Sequence, residues 1–346
     1  MLSLERVVKK YLINKQLSRG TKAQYASTLR KWQAWGREKP FEKLERKDIR
    51  DFLDWVHQRA IALEGTNPGR TANKVRENLR AVMAWAWEHD LIDALPRFPS
   101  RYPQRDVAGR HYLTKSEINS LYFATHQMER PRGWRNALPV GHYWRCALVV
   151  FFNYGLDTGT IWQTTPVHEP ILWRHVFWNS QCPDREIKQR SRWGWIYYRR
   201  TKTSKTFVRP MNRVVHAHLK SMQNNLAAPD APVFLGGSSR PNERFQELCA
   251  IAGIRPKSDI ETNLDVAWQL KDLRKTCATY YDVHVPESSI EILGHAMGGV
   301  TYRHYAHRAP LAFKAITTLP QPSSFLSMVK GTNGACPCCR RRFPDV

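Results

Sequence analysis

The chain has 346 residues, 42% of them hydrophobic, enough for two domains of ordinary size, each with its own core. No apolar run approaches the roughly 18–20 residues of a transmembrane helix, and the N-terminal stretch MLSLERVVKKYLINKQLSRG is broken by charges where a signal peptide needs an apolar centre. Lys and Arg number 54 against 30 Asp and Glu, a formal net charge of +24 spread along the whole chain, so a polyanionic partner is expected. Nucleic acid fits that charge better than a membrane surface, because no segment reads as a long amphipathic helix with basic residues rimming an aromatic face. A cytoplasmic protein with no membrane partner is expected. The seven cysteines (Cys146, Cys182, Cys249, Cys277, Cys336, Cys338, Cys339) are odd in number and four are isolated, which argues against a disulfide framework.

The first elements read as helices. TKAQYASTLRKWQAW opens with Thr21 and Gln24 at capping-box spacing and places Tyr25, Leu29 and Trp32 on one face. KDIRDFLDWV repeats the pattern with Ile49, Phe52, Leu53 and Val56, and TANKVRENLRAVMAWAWEHDLI does so with Val75, Leu79, Val82 and Ala86. A small helical bundle follows. The stretch from Asp93 to Gly109 holds three prolines and no period, so a boundary is expected there, with residues 96–110 as linker.

Beyond it, Thr114 and Glu117 form a second capping box, and WRCALVVFFNYGL reads as a buried helix that stops at Gly155. EPILWRHVFW, GWIYYRR and KTFVRPMN are short, aromatic and β-branched, the pattern of a small antiparallel sheet. Helical patterns then resume in VVHAHLKSMQNNL, NERFQELCAIAGI, QLKDLRKTCATYYD and SSIEILGH. The fold class expected is mainly α with a small sheet (α+β). The segment from 319 to 346, ending CPCCRRRFPDV, reads as a flexible basic tail; its CPCC lacks a second pair of ligands at zinc-site spacing.

Three places could carry chemistry. Lys271 and Arg274 lie three apart, so on a helix they share a face and could hold an anion. LGHAMGGVTYRHYAH supplies His295 and, after a Gly-Gly break, Tyr302 and Tyr305; helical periodicity puts both tyrosines on one face and does not choose between them as nucleophile. The turn in YYRRTKTSKTF carries Lys202 and Lys205, where an ammonium could reach a bound backbone.

In order and spacing these pieces resemble the tyrosine recombinase, or phage-type integrase, family, over residues from about 10 to about 315. The resemblance rests on KDLR, LGH, YAH and RTKT. It implies a helical, DNA-clamping core-binding domain over 1–95 and a catalytic domain over 111–318. It also implies cutting and rejoining of double-stranded DNA through a 3′-phosphotyrosyl link, with no metal or nucleotide cofactor, by a homo-oligomer (a tetramer) on DNA, as in a mobile element. By the same resemblance Arg274 binds the scissile phosphate, His295 hydrogen-bonds it, Lys202 protonates the leaving oxygen, Tyr305 is the nucleophile, and Lys271 stands where a histidine is usual.

One departure bears on activity. Where the family places a Gly-Leu-Arg after the buried helix, this chain has YGLDTGT, with Asp157 in the arginine's place. A carboxylate repels a phosphate, so another cation, with Arg174, Arg145 and Lys271 as candidates, would have to make up the loss in a working enzyme. The alternatives are an integrase-like DNA-binding protein with an impaired site, and a type IB topoisomerase-like nicking and joining enzyme. An RNA-binding module is disfavoured, since no exposed Phe/Tyr strand signature is present.

Overall fold

The computed structural model describes residues 2–37, 39–63, 67–103, 112–132, 134, 136, 138–162, 169–200, 205–223, 228–236, 240–258, 265–294 and 309–329. The chain divides into two compact units, Met1–Val107 and Ala108–Val346.

The first unit is a four-helix arrangement of α1 (Leu4–Asn14), α2 (Arg19–Trp35), α3 (Arg46–Ala62) and α4 (Pro68–Glu88). The apolar faces read from the sequence point inward. Ile49, Phe52, Leu53 and Val56 are buried on α3, and Val75, Leu79, Val82 and Ala86 on α4. Tyr25 and Trp32 are buried on α2, with Leu29 half-buried beside them. The start of α2 differs from expectation. Its cap is Ser18, whose Oγ accepts from the Thr21 amide at 3.2 Å while its own backbone is extended, so Thr21 lies inside the first turn.

The proline-rich stretch is also different from a free linker as far as Pro103. The Asn73 side chain donates to the Tyr102 carbonyl and accepts from the Tyr102 amide, both at 2.9 Å, and Arg76 Nε donates to the Pro99 carbonyl at 2.8 Å. Prolines deny this segment a regular ladder, so side chains of α4 satisfy its backbone instead. The rest of the expected linker, 104–110, lies outside the described residues.

The second unit is built around α6 (Val140–Tyr154), every residue of which is buried. Before it comes α5 (Lys115–Ala124), capped by the Thr114/Glu117 box as read from the sequence. After it come the short α7 (Thr158–Ile161) and an antiparallel sheet of β1 (Val176–Phe177), β2 (Trp195–Arg199) and β3 (Thr206–Pro210), in that order. The β2–β3 register pairs Ile196 with Arg209 and Arg199 with Thr206, so the three short aromatic stretches do form the expected small sheet.

There follow α8 (Arg213–Met222), α9 (Pro241–Ile251), a two-stranded hairpin of β4 (Lys257–Ser258) and β5 (Asp265–Val266), α10 (Leu270–His284), α11 (Ser288–Leu293), α12 (Ala309–Thr318) and α13 (Ser323–Leu326). Helices α8 and α10 pack on α6. The segment expected as a loose tail from 319 is docked as far as Val329. Phe325 is fully buried, Gln321 exchanges hydrogen bonds with the buried Asn153 at 2.9 and 3.1 Å, and the Ser324 amide donates to Asn119 on α5. Its apolar residues complete the core beside α5 and α6. Residues 330–346, with Cys336, Cys338 and Cys339, lie outside the described residues.

Candidate active site

The site begins where α6 must stop. Gly155 ends that helix with φ 54°, a left-handed conformation that glycine alone adopts without strain. A Cβ there would strike the Leu293 side chain and Cys277. Gly294, with φ 65°, ends α11 in the same way, and a Cβ on it would run into the Phe207 ring of β3. These two glycines let the ends of α6 and α11 close on α10 and the β2–β3 hairpin, so the carbonyls of Gly155, Leu293 and Gly294 converge.

Arginines fill the space between those carbonyls. Arg274, on α10, donates from Nη1 to the Gly155 carbonyl and from Nη2 to the Leu293 carbonyl at 2.8 Å. Burial pulls its pKa down, the Asp157 carboxylate opposes that, and a second guanidinium, Arg200, adds to it. Arg200 directly follows β2. Its Nε donates to Asp157 Oδ2 at 2.8 Å, and its Nη1 lies 3.3 Å from both the Leu293 and the Gly294 carbonyl oxygens. The two guanidiniums therefore share the Leu293 carbonyl as acceptor. Asp157 stands at the N-cap position of α7 but caps no amide with its side chain; the carboxylate goes to Arg200 instead.

The position of α10, and so of Arg274, is set at its first turn. Asp272, fully buried, accepts from the Gln269 amide at 2.9 Å and from Lys257 Nζ of β4 at 2.7 Å, while the Lys257 ammonium also lies over the Trp268 ring. Arg209 of β3 reaches Glu291 of α11 at 3.0 Å, which joins the sheet to the helix that leads into the Leu-Gly-His segment. Helix α12 packs on α11 and β3, and Thr318 at its end bonds His284 of α10 at 2.8 Å.

The residues named from the sequence fall into three groups. Arg274 lies between the Gly155 and Leu293 carbonyls. Lys271 is exposed one turn earlier on α10, and no described residue pairs with it. Lys202, His295, Tyr302 and Tyr305 lie outside the described residues, but two of their flanks meet. Arg200 precedes Lys202 by two positions, Gly294 immediately precedes His295, and Arg200 Nη1 donates to that Gly294 carbonyl. The backbone hydrogen bond from Arg200 N to Lys205 O, at 2.8 Å, closes the hairpin on either side of Lys202.

The cations expected to replace the missing arginine are elsewhere. Arg145 is buried in α6, where its Nε bonds Thr125 Oγ1 at 2.7 Å and its guanidinium stacks over Tyr122. Arg174 is held by Glu169 and Asp230. Arg200 is a second guanidinium beside Arg274, and the sequence reading passed over it. One signal could have found it: inward residues alternate along β2 at Ile196 and Tyr198, which puts Arg200 next in phase.

Other phenols near the site are poor nucleophiles. Tyr154 and Tyr281 are fully buried, and their hydroxyls donate to the Pro210 and Asn153 carbonyls at 3.0 and 2.8 Å. Burial pushes Tyr198 up to about 12. Among the described residues no group of three or more His, Cys, Asp or Glu could hold a metal ion, and no helix is long and apolar enough to cross a membrane.

Comparison with known proteins agrees with this architecture. Residues 5–89 match the family described as phage integrase, N-terminal SAM-like domain. No curated protein matches the sequence. Among solved structures, the fold is similar to that of a lambda integrase dimer bound to a COC′ core site, with 15% identity, 86% of this chain and 96% of that one covered, and a TM-score of 0.57. It is similar to a lambda integrase tetramer bound to a Holliday junction, at 15% identity, 87% and 79% coverage and a TM-score of 0.59. The Tn1549 transposon integrase in complex with circular intermediate DNA gives 16%, 90%, 99% and 0.53. At these identities the likeness is one of fold: the chain has the architecture of the phage integrases, a helical N-terminal unit followed by a mostly helical unit with a small sheet.

Proposed function

We propose that this chain, integrase-like in the sequence of its N-terminal unit and in its fold throughout, is a site-specific DNA recombinase that cuts and rejoins double-stranded DNA through a 3′-phosphotyrosyl intermediate. Its N-terminal unit serves as the core-binding domain and its second unit as the catalytic domain. By analogy with the assemblies of similar fold, it acts in the cytoplasm as a homo-oligomer, a tetramer, on DNA of a mobile element. The net charge of +24 supports electrostatic DNA binding, so affinity should fall steeply as salt rises and counterion release loses its value.

The observation that carries the reading is Arg274, a guanidinium held by the Gly155 and Leu293 carbonyls, one residue short of the position where His295 begins. In the reaction, the Tyr305 oxygen forms a bond to phosphorus as its phenolic proton leaves to solvent. The P–O5′ bond breaks with its electron pair going to O5′, and Lys202 supplies the proton that O5′ takes up. Arg274 and His295 meet the charge that builds on the non-bridging oxygens, where preorganised donors are worth most. Religation runs the same steps in reverse with a different 5′-hydroxyl.

The test is trapping on a duplex nicked next to the cleavage point, so that the cut strand end diffuses away. The natural protein should form a covalent adduct, Tyr302→Phe should keep it, and Tyr305→Phe should lose it while still binding DNA. An adduct that survives Tyr305→Phe and vanishes with Tyr302→Phe would move the nucleophile. No adduct from the natural protein on DNA that it binds would leave a DNA-binding protein without the chemistry. Joining of two separate duplexes, as opposed to relaxation of one, separates a recombinase from a nicking and joining enzyme.

A further inference from the structure

We propose that Arg200 is the second phosphate-binding guanidinium of this site and that Asp157 is its positioning residue: an arginine delivered from the β2–β3 hairpin and held in place by an acid at the end of α6. The proposal rests on the recombinase reading above and adds to it the groups that meet the phosphate.

Geometry carries the argument. Arg200 and Arg274 come from different elements, yet both donate to the carbonyl of Leu293, so the two guanidiniums are neighbours. Like charges do not settle together without a reason. Among the described residues the carboxylate bonded to a member of the pair is Asp157, on Arg200. Two guanidiniums thus lie side by side in a site where Arg274 is largely buried and the Arg200 side chain is only 12% exposed. A phosphodiester carries one negative charge and its pentacoordinate transition state about two, so an anion entering here meets two adjacent guanidiniums. The bonds to Asp157, Leu293 and Gly294 use Nε and Nη1 of Arg200; among the described residues none uses Nη2. The fork is oriented with a donor left over.

Asp157, read alone, is a repulsive group beside a phosphate. Paired with Arg200 it becomes a handle. An arginine at the end of a hairpin has four side-chain torsions to fix, and a carboxylate on Nε together with two carbonyls on Nη1 fixes the plane of the guanidinium. The same anchor holds the residue that closes the hairpin through its backbone bond to Lys205.

The competing interpretation is that the Asp157–Arg200 pair merely latches the hairpin. Initial rates of covalent adduct formation on saturating nicked DNA, with thermal melting of each variant, separate the two. Arg200→Ala should lose about 10²–10³ in rate, the usual effect of one preorganised donor. Arg200→Lys, which keeps charge and bulk and guards against a folding defect, should still lose tenfold or more, because an ammonium does not present the fork. Asp157→Arg should react more slowly than the natural protein, since it sets three cations together. The charge-reversed double variant Asp157→Arg with Arg200→Asp returns a guanidinium to the same place from the opposite side, and should recover at least tenfold over Arg200→Asp alone.

A rate for Arg200→Ala within threefold of the natural protein would overturn the role of Arg200 and leave the recombinase standing. A double variant no faster than Arg200→Asp would overturn the positioning role of Asp157. If the natural protein forms no adduct on DNA that it binds, the recombinase reading itself falls, and this inference with it.

Discussion

Two aspartates in the second unit each hold a cation, and they do so to different ends. Asp272 is fully buried, accepts from the Gln269 amide as part of a capping box, and pairs with Lys257, whose side chain is 10% exposed. A second ammonium, Lys275, reaches the other oxygen of Asp272 at 3.5 Å from a half-exposed position, and the acid also closes the first turn of α10. Asp157 is 25% exposed, caps nothing, and faces two guanidiniums. In the first arrangement the acid and its nearer cation are shut away while the farther cation lies largely in water; in the second, two guanidiniums lie mostly inside the protein beside a partly exposed acid. A second cation that lies in water is screened, whereas one held inside a site keeps its pull on an anion.

The largest effect on stability should follow from breaking the closed pair. Asp272→Ala strands the Lys257 ammonium in a site with little water and opens the α10 cap, so unfolding should become easier by about 3–5 kcal/mol. Asp272→Asn keeps the capping acceptor and removes the charge, and should cost less than the alanine variant. Denaturant melts of the three proteins check this. Equal losses from both variants would mean that the charge, and not the cap, is what Asp272 supplies.

A middle-sized effect tests the backbone on which both arginines of the open cluster rest. Gly294→Ala places a Cβ on a residue with φ 65° and into the Phe207 ring. Left-handed backbone at a non-glycine residue costs about 1–3 kcal/mol, and relief requires the Leu293–Gly294 carbonyls to shift. Stability should drop by that amount and adduct formation should fall further than stability explains, because the acceptors of Arg200 Nη1 move with the chain. A variant that melts lower but reacts at the natural rate would show that those carbonyls do not orient the guanidiniums.

Much of the scaffold was legible in the sequence because its signals are local. The α3 face of Ile49, Phe52, Leu53 and Val56, the Thr114/Glu117 cap, the stop at Gly155 and the three aromatic strands each need only a few neighbouring residues to be recognised. What escaped depends on distant partners. Asp157 and Arg200 are 43 residues apart, Lys257 and Asp272 meet through a hairpin of two-residue strands, and Tyr102 is docked by Asn73 from 29 residues away. Periodicity carries no information about which acid a given arginine will find. The candidates Arg145 and Arg174, named beside Lys271, have that origin: nearness along the chain stood in for nearness in space, and both of those arginines have other partners.

The smallest stability effect should come from Arg200, the residue proposed above as the second phosphate-binding guanidinium. Arg200→Ala removes one ion pair and two long hydrogen bonds at 3.3 Å, which points to a substantial loss if the site were closed. It is not closed. The stranded Asp157 is a quarter exposed and can be rehydrated, and Arg274 remains beside it as a counter-charge, so the usual penalty for an orphaned buried ion does not apply in full. Removing Arg200 also relieves its repulsion with Arg274. The net cost should be about 1 kcal/mol, well below that of Asp272→Ala, and Arg200→Ala should melt cooperatively near the natural protein. A loss of about 3 kcal/mol or more would make the two pairs equivalent, and the distinction between a closed pair and one left open for an anion would then have no energetic basis in this molecule.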